Sequence, residues 1–196
     1  MPCNSTPKPN NRTRLCLTLK LKPMKCFRTR GKKSTPHPLS DDPPRVRANA
    51  QRGHGTFANH RPAIVGTVGR FSGQVRLQVV KHTDQATLHQ HMQTFTLAQA
   101  TANTDEWRSY QGIPQRPVVV CHGQHEWARD DDGDGVREVH INTAEGMWTS
   151  VRNFLRPFRG VHKRYLSGYV AISEFAINDK RVLPKLIHAI TAQHFF

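Results

Sequence analysis

Acidic residues are scarce in this chain. Its 196 residues hold 14 Asp and Glu against 29 Lys and Arg, a formal net charge of +15. Such an excess disfavours polycationic partners and points to nucleic acid or another polyanion. Long apolar runs are also missing. None approaches the roughly 20 residues needed to cross a bilayer, so no membrane span is expected. The N-terminus has no apolar stretch of the signal-peptide kind. Cysteine is sparse, and Cys3, Cys16, Cys26 and Cys121 show no CxxC spacing, which excludes paired zinc knuckles. A soluble, reduced, cytoplasmic protein is the resulting expectation. Apolar residues make up 36% of the chain, enough for one core of modest size.

The charge is uneven. Residues 1–50 hold 12 Lys and Arg against 2 acids, while residues 51–196 hold 17 against 12. Residues 1–14 read as disordered. Leu15, Leu17, Leu19 and Leu21 then alternate with polar residues, the pattern of a strand, and Pro23 stops it. A basic leader over residues 1–30 and a basic Pro- and Gly-rich arm over 31–62 precede the domain proper, residues 63–180. There Ile64–Val68, the Ser72-Gly73 turn and Val75–Val80 predict a hairpin. A helix from Asp84 to about Phe95 should bury Leu88 and Met92, with Thr83 as its cap. Pro117–Cys121 reads as a buried strand. Met147, Trp148, Val151, Phe154 and Leu155 lie at helical spacing. A helix from about Lys163 to Asn178 should bury Tyr165, Leu166, Tyr169, Val170 and Phe175. A last helix falls within 181–196. Strands first and helices last predict an α/β fold, a mixed sheet with helices packed on it.

Two carboxylates stand out. Asp105 falls where a short strand should end, the place where open α/β sheets hold ligands. Glu145 falls in the first turn of the Met147–Leu155 helix. Asn142 could cap that helix with Glu145 closing a capping box, which accounts for Glu145 by stability alone. Beyond the helix start lie Arg152, Arg156, Arg159, Lys163 and Arg164, interleaved with Phe154, Phe158 and Tyr165. That run reads either as a solvated face or as a phosphate-binding track. Together, Asp105 and Glu145 could hold a hard divalent ion, although two-metal phosphoryl transfer usually wants a third carboxylate. Asp130, Asp132, Asp134 and Gly135 imitate the start of a calcium loop. Its twelfth place is Ile141 rather than Glu, which rejects an EF-hand. Cys121, His122, His125 and His140 could bind zinc, but their spacing is not that of knuckles.

Thr104-Asp105-Glu106-Trp107 and His140-x-Asn142-Thr143-x-Glu145-Gly146-x-Trp148 resemble the DDE-type transposases of bacterial insertion sequences, in the branch whose last acid follows His-x-Asn-Thr. The segments HPLSDDPPRVRAN, RGHGTFANHRP, IVGTVGR, TDEWRSY, DDDGDGVREVH and MWTSVRNFLRPFRGVHKRYL fit the same family, from about Phe27 onward. The resemblance implies a ribonuclease-H-like mixed sheet flanked by helices. It implies DNA cleavage at element ends and strand transfer with Mg2+ or Mn2+. Asp105 matches the second acid and Glu145 the third, with both as metal ligands. Asn142, Arg152, Arg156, Arg159, Lys163 and Arg164 fall to DNA. Insertion-sequence ends and target DNA become the partners, with a homo-oligomer assembled on them near the nucleoid. One departure matters: Met24-Lys25 stands where the family has its first Asp-Glu pair. The chain is therefore expected to be shortened at its N-terminus and inactive, or to persist as a catalytically dead DNA-binding remnant that interferes with a full-length transposase.

Overall fold

A computed structural model describes residues 14–16, 57–58, 61–158 and 160–179; for residues 14–16 the description is of the backbone alone. The candidate first acid, the basic arm up to residue 56, Arg159 and the last helix lie outside the described residues.

Five strands form one mixed sheet. They are β1 (Arg14–Cys16), β2 (Ala63–Gly69), β3 (Val75–Val80), β4 (Thr101–Asp105) and β5 (Arg116–Val120), in the order β3-β2-β1-β4-β5. The predicted hairpin is present: β2 and β3 pair antiparallel, from Ala63 with Val80 to Val68 with Val75. β1 runs antiparallel to β2 and parallel to β4, and β4 runs parallel to β5. Between β3 and β4 lies α1 (Gln85–Phe95). A two-stranded ribbon of β6 (Ala128–Arg129) and β7 (Val139–His140) follows β5. The helices α2 (Asn142–Leu155) and α3 (Leu166–Asn178) come last.

Alternation along each strand divides the core between two faces. Ile64, Val68 and Val75 join Ala144, Met147, Trp148, Val151 and Leu155 of α2, and Leu166 and Val170 of α3. On the other face Ala63, Val65 and Val80 meet Leu88 of α1, and Ala102 meets Met92. Gly66 makes the α2 side possible. A Cβ there would lie 2.7 Å from Leu77 Cδ2, 3.1 Å from Met147 Cε and 3.2 Å from Trp148 Cζ2.

Four expectations need correction. α1 is capped by Asp84, whose carboxylate accepts from the Thr87 amide at 2.9 Å, rather than by Thr83. β5 is an edge strand, not a buried one: Arg116, Pro117 and Val119 are exposed, and only Val118 and Val120 turn toward the α2 side. A proline is tolerated where one edge needs no partner. α3 begins at Leu166 and buries Leu166, Val170 and Ser173, leaving Tyr165 and Phe175 exposed. Its inward stripe is set by β3, because Glu174 accepts from the Leu77 amide at 2.6 Å and Asn178 from the Val75 amide at 2.6 Å. Those two side chains satisfy the outer edge of the sheet, and Phe175 is turned away. Lastly, α2 starts at Asn142 with Ile141 in the capping position, so the anticipated capping box does not form there.

Candidate active site

Asp105 is the last residue of β4, and its position follows from register. Cys16 pairs with Val68 on one side and with Asn103 on the other. Two residues further along, β2 reaches Gly66 and β4 reaches Asp105, so by alternation these two share a face. Gly66 is the residue that Met147 and Trp148 of α2 approach. Val120, paired with Asp105, joins Val139 and Ile141 at the entrance to α2. Asp105 thus lies on the face that α2 covers, and Glu145 sits in the first turn of α2, ahead of Met147 and Trp148.

Polar contacts reinforce this arrangement. Asp105 Oδ1 accepts from the Trp107 amide at 3.3 Å as the chain turns away from the strand. The carbonyl of His140, two residues before α2, accepts from Asn103 Nδ2 at 3.4 Å and from Arg70 Nη2 at 2.9 Å. Arg70 Nη1 also donates to the Glu138 carbonyl. Burial lowers the pKa of His140, and the Arg70 charge adds to that effect. Beside Asp105, Glu106 accepts from the amides of His122 and Gly123 at 2.9 and 3.0 Å, which ties the end of β4 to the loop after β5. Its own backbone amide first, then those of His122 and Gly123, hold its carboxyl below the ordinary range. Arg70 and Asn103 escaped the sequence reading. An arginine directly after the strand segment IVGTVG was the visible signal, while Asn103 had none.

Both Asp105 and Glu145 are partly buried, and their oxygens are donors of the kind magnesium and manganese accept. Among the described residues, no third acid, histidine or cysteine gathers with them into a close ligand group. Such a group does exist elsewhere. Ligand atoms of Asp130, Asp132, Asp134 and Glu138 lie within 4.8 Å of one another. There Asp130 accepts from the amides of Gly135, Gly133 and Asp132, the first of which does most to lower its pKa, so the turn is held by its own backbone. Cys121, His122 and His125 form no close metal-binding group among the described residues.

The described residues among those assigned to DNA lie along α2 and the segment that joins it to α3. Asn142 is exposed at the first position of α2. Arg152 is exposed and donates to Thr149 Oγ1 at 2.9 Å. Arg156 is exposed in the helical turn Arg156–Phe158, and Arg164 is exposed before α3. Lys163 is half-buried. Its ammonium lies 5.0 Å from the Phe57 ring centroid and donates to the Phe57 carbonyl at 3.2 Å, a structural use that the run of charges did not foretell. Phe154, Phe158 and Tyr169 stack edge to face between the two helices.

The mixed α/β fold is compatible with a DDE transposase domain. The chain belongs to the ISXO2-like transposase domain family, whose profile matches residues 40–178. It is also similar to the "Uncharacterized protein in transposable element ISH50" of Halobacterium salinarum, at 27% identity over 134 residues, covering 66% of this chain. The match spans 43% of that relative's length. Among the described residues no helix is long and apolar enough to cross a membrane.

Proposed function

We propose that this chain is a ribonuclease-H-like DNA strand-transfer domain of an insertion-sequence transposase, with Asp105 and Glu145 as metal ligands. The observation that supports it most is the sheet register, which puts Asp105 on the face covered by α2, the helix that bears Glu145. A mixed sheet, antiparallel on one side of β1 and parallel on the other, with helices on both faces, supports the ribonuclease-H-like reading. A divalent ion held there would polarise a phosphodiester and stabilise the charge that develops on its oxygens. Asp105 and Glu145 would bind and orient that ion. Asn142, Arg152, Arg156, Arg159, Lys163 and Arg164 would hold the DNA backbone of element ends and target, with a second copy of the chain on the same DNA.

The third carboxylate is the weak point. Met24 replaces an oxygen donor with a thioether, and Lys25 adds a repelling charge. We therefore read the chain as incomplete for cleavage. The alternative is a DNA-binding remnant that interferes with a complete transposase.

Nicking of duplex DNA bearing the element's ends, with Mg2+ or Mn2+, tests this reading. The natural chain should be silent, and Met24→Asp with Lys25→Glu should nick. Nicking by the natural chain would overturn the assignment of the first acid. If both are silent while binding still falls steeply with salt, the remnant reading stands instead.

A further inference from the structure

The carbonyl of His140 receives two side-chain donors from distant parts of the chain. Arg70, directly after β2, donates to it at 2.9 Å and donates through its other terminal nitrogen to the Glu138 carbonyl. Asn103 of β4 donates to it at 3.4 Å. Asn103 precedes Asp105 by two residues and shares its face. His140 precedes Glu145 by five. This is a short polar route from the strand of one acid to the helix of the other. Apolar packing of Met147 and Trp148 over Gly66 holds α2 against the sheet, but such contacts are non-directional and leave sliding and rotation inexpensive. Hydrogen bonds from a guanidinium fork are directional and fix a geometry.

We propose that Arg70, together with Asn103, is a positioning residue that sets the separation of Asp105 and Glu145 and so their joint grip on a divalent ion. The inference rests on the reading of these two acids as metal ligands. A fork spanning two carbonyls of the β7 segment triangulates the entrance of α2 from β2 while Asn103 does so from β4. Metal ligands must be held to about half an ångström, which is the tolerance such outer contacts serve. Lysine is a poor replacement for the fork, because its ammonium sits on a flexible stem and lacks two rigidly spaced terminal nitrogens.

Iron-directed self-cleavage tests it without any DNA. The full chain is loaded with Fe2+ and treated with ascorbate and peroxide, and the fragments are sized. The natural chain should be cut beside both Asp105 and Glu145, and Asp105→Asn or Glu145→Gln should abolish both cuts. Arg70→Lys and Asn103→Ala should each raise the Fe2+ concentration for half-maximal paired cutting by about tenfold, with far-UV circular dichroism unchanged. If Arg70→Lys does not fold, Asn103→Ala decides. Paired cuts at the natural Fe2+ concentration in a folded variant would overturn the positioning role and leave the metal pair intact. No paired cuts in the natural chain, or cuts confined to Asp130–Glu138, would overturn the metal pair and the inference with it.

Discussion

The two faces of the sheet are built differently. Toward α2 and α3 one large apolar cluster dominates, from Ile64 and Val68 through Trp148 and Val151 to Val170, with a small one of Val120, Val139 and Ile141 beside it. Toward α1 it breaks into two smaller clusters, and polar side chains are buried there. His91 is 1% exposed, with Nδ1 3.0 Å from Gln78 Oε1 and Nε2 buried without a partner. Thr104 and Gln115 are buried, each with one side-chain oxygen unpaired. Asp105 lies on the face that α2 covers, and Glu145 is carried by α2 itself, whose apolar stripe packs there. The polar face serves mainly as a support, and it should fail first when conditions change.

Truncating the centre of the apolar face gives the largest expected effect. Trp148→Ala removes an indole that seals α2 over Gly66 and should cost about 3–5 kcal/mol in urea unfolding. The loss should fall on α2, so amide exchange at residues 144–151 should rise before that of α1. Equal acceleration in both helices would show that the two faces unfold as one unit and erase the distinction.

The polar face should respond to acid instead. Burial pushes His91 down to about 4, against 6.5 for an open histidine. Between those values the unfolded chain binds a proton that the folded chain refuses, so stability must fall as pH falls. The loss should reach about 2 kcal/mol from pH 7 to pH 5. Asp84, Glu106, Glu126 and Asp130 are all shifted downward from ordinary carboxyl values, so their losses belong at lower pH. His91→Gln should reduce the slope between pH 5 and 7 and leave the part that His140, also lowered by burial, contributes. An unchanged slope in that variant would remove His91 as its cause.

How much of this was legible beforehand differs by face as well. The period of α2 gave Met147, Trp148, Val151 and Leu155 as buried, because a helix lying on a sheet exposes its inward stripe directly in the sequence. Asp105 at a strand end and Glu145 in a first turn were readable for the same local reason. α3 misled, since Tyr165 and Phe175 are apolar by type but lie off a stripe dictated by the edge of β3. Cys121, His122 and His125 looked like ligands because they are close in sequence, yet they form no close metal-binding group among the described residues. Arg70 and Asn103 act across 70 and 37 positions, and such contacts depend on strand order, which no local pattern encodes.

The smallest expected effect lies where the polar face is already unpaired. Gln115 Nε2 donates to Thr96 Oγ1 at 2.6 Å, while its Oε1 is buried without a partner. Thr96 Oγ1 has another use, donating to the Met92 carbonyl at 2.6 Å, so it is not stranded when Gln115 is replaced. Gln115→Met keeps the length of the side chain and removes an acceptor that already bears its desolvation cost. One modest bond is lost and one penalty is relieved, each on the order of 1 kcal/mol. The two should nearly cancel, and unfolding free energy should move by less than about 1 kcal/mol. A loss of about 2 kcal/mol or more would mean that this amide satisfies the face rather than straining it. The contrast between the faces would then rest on His91 and Thr104.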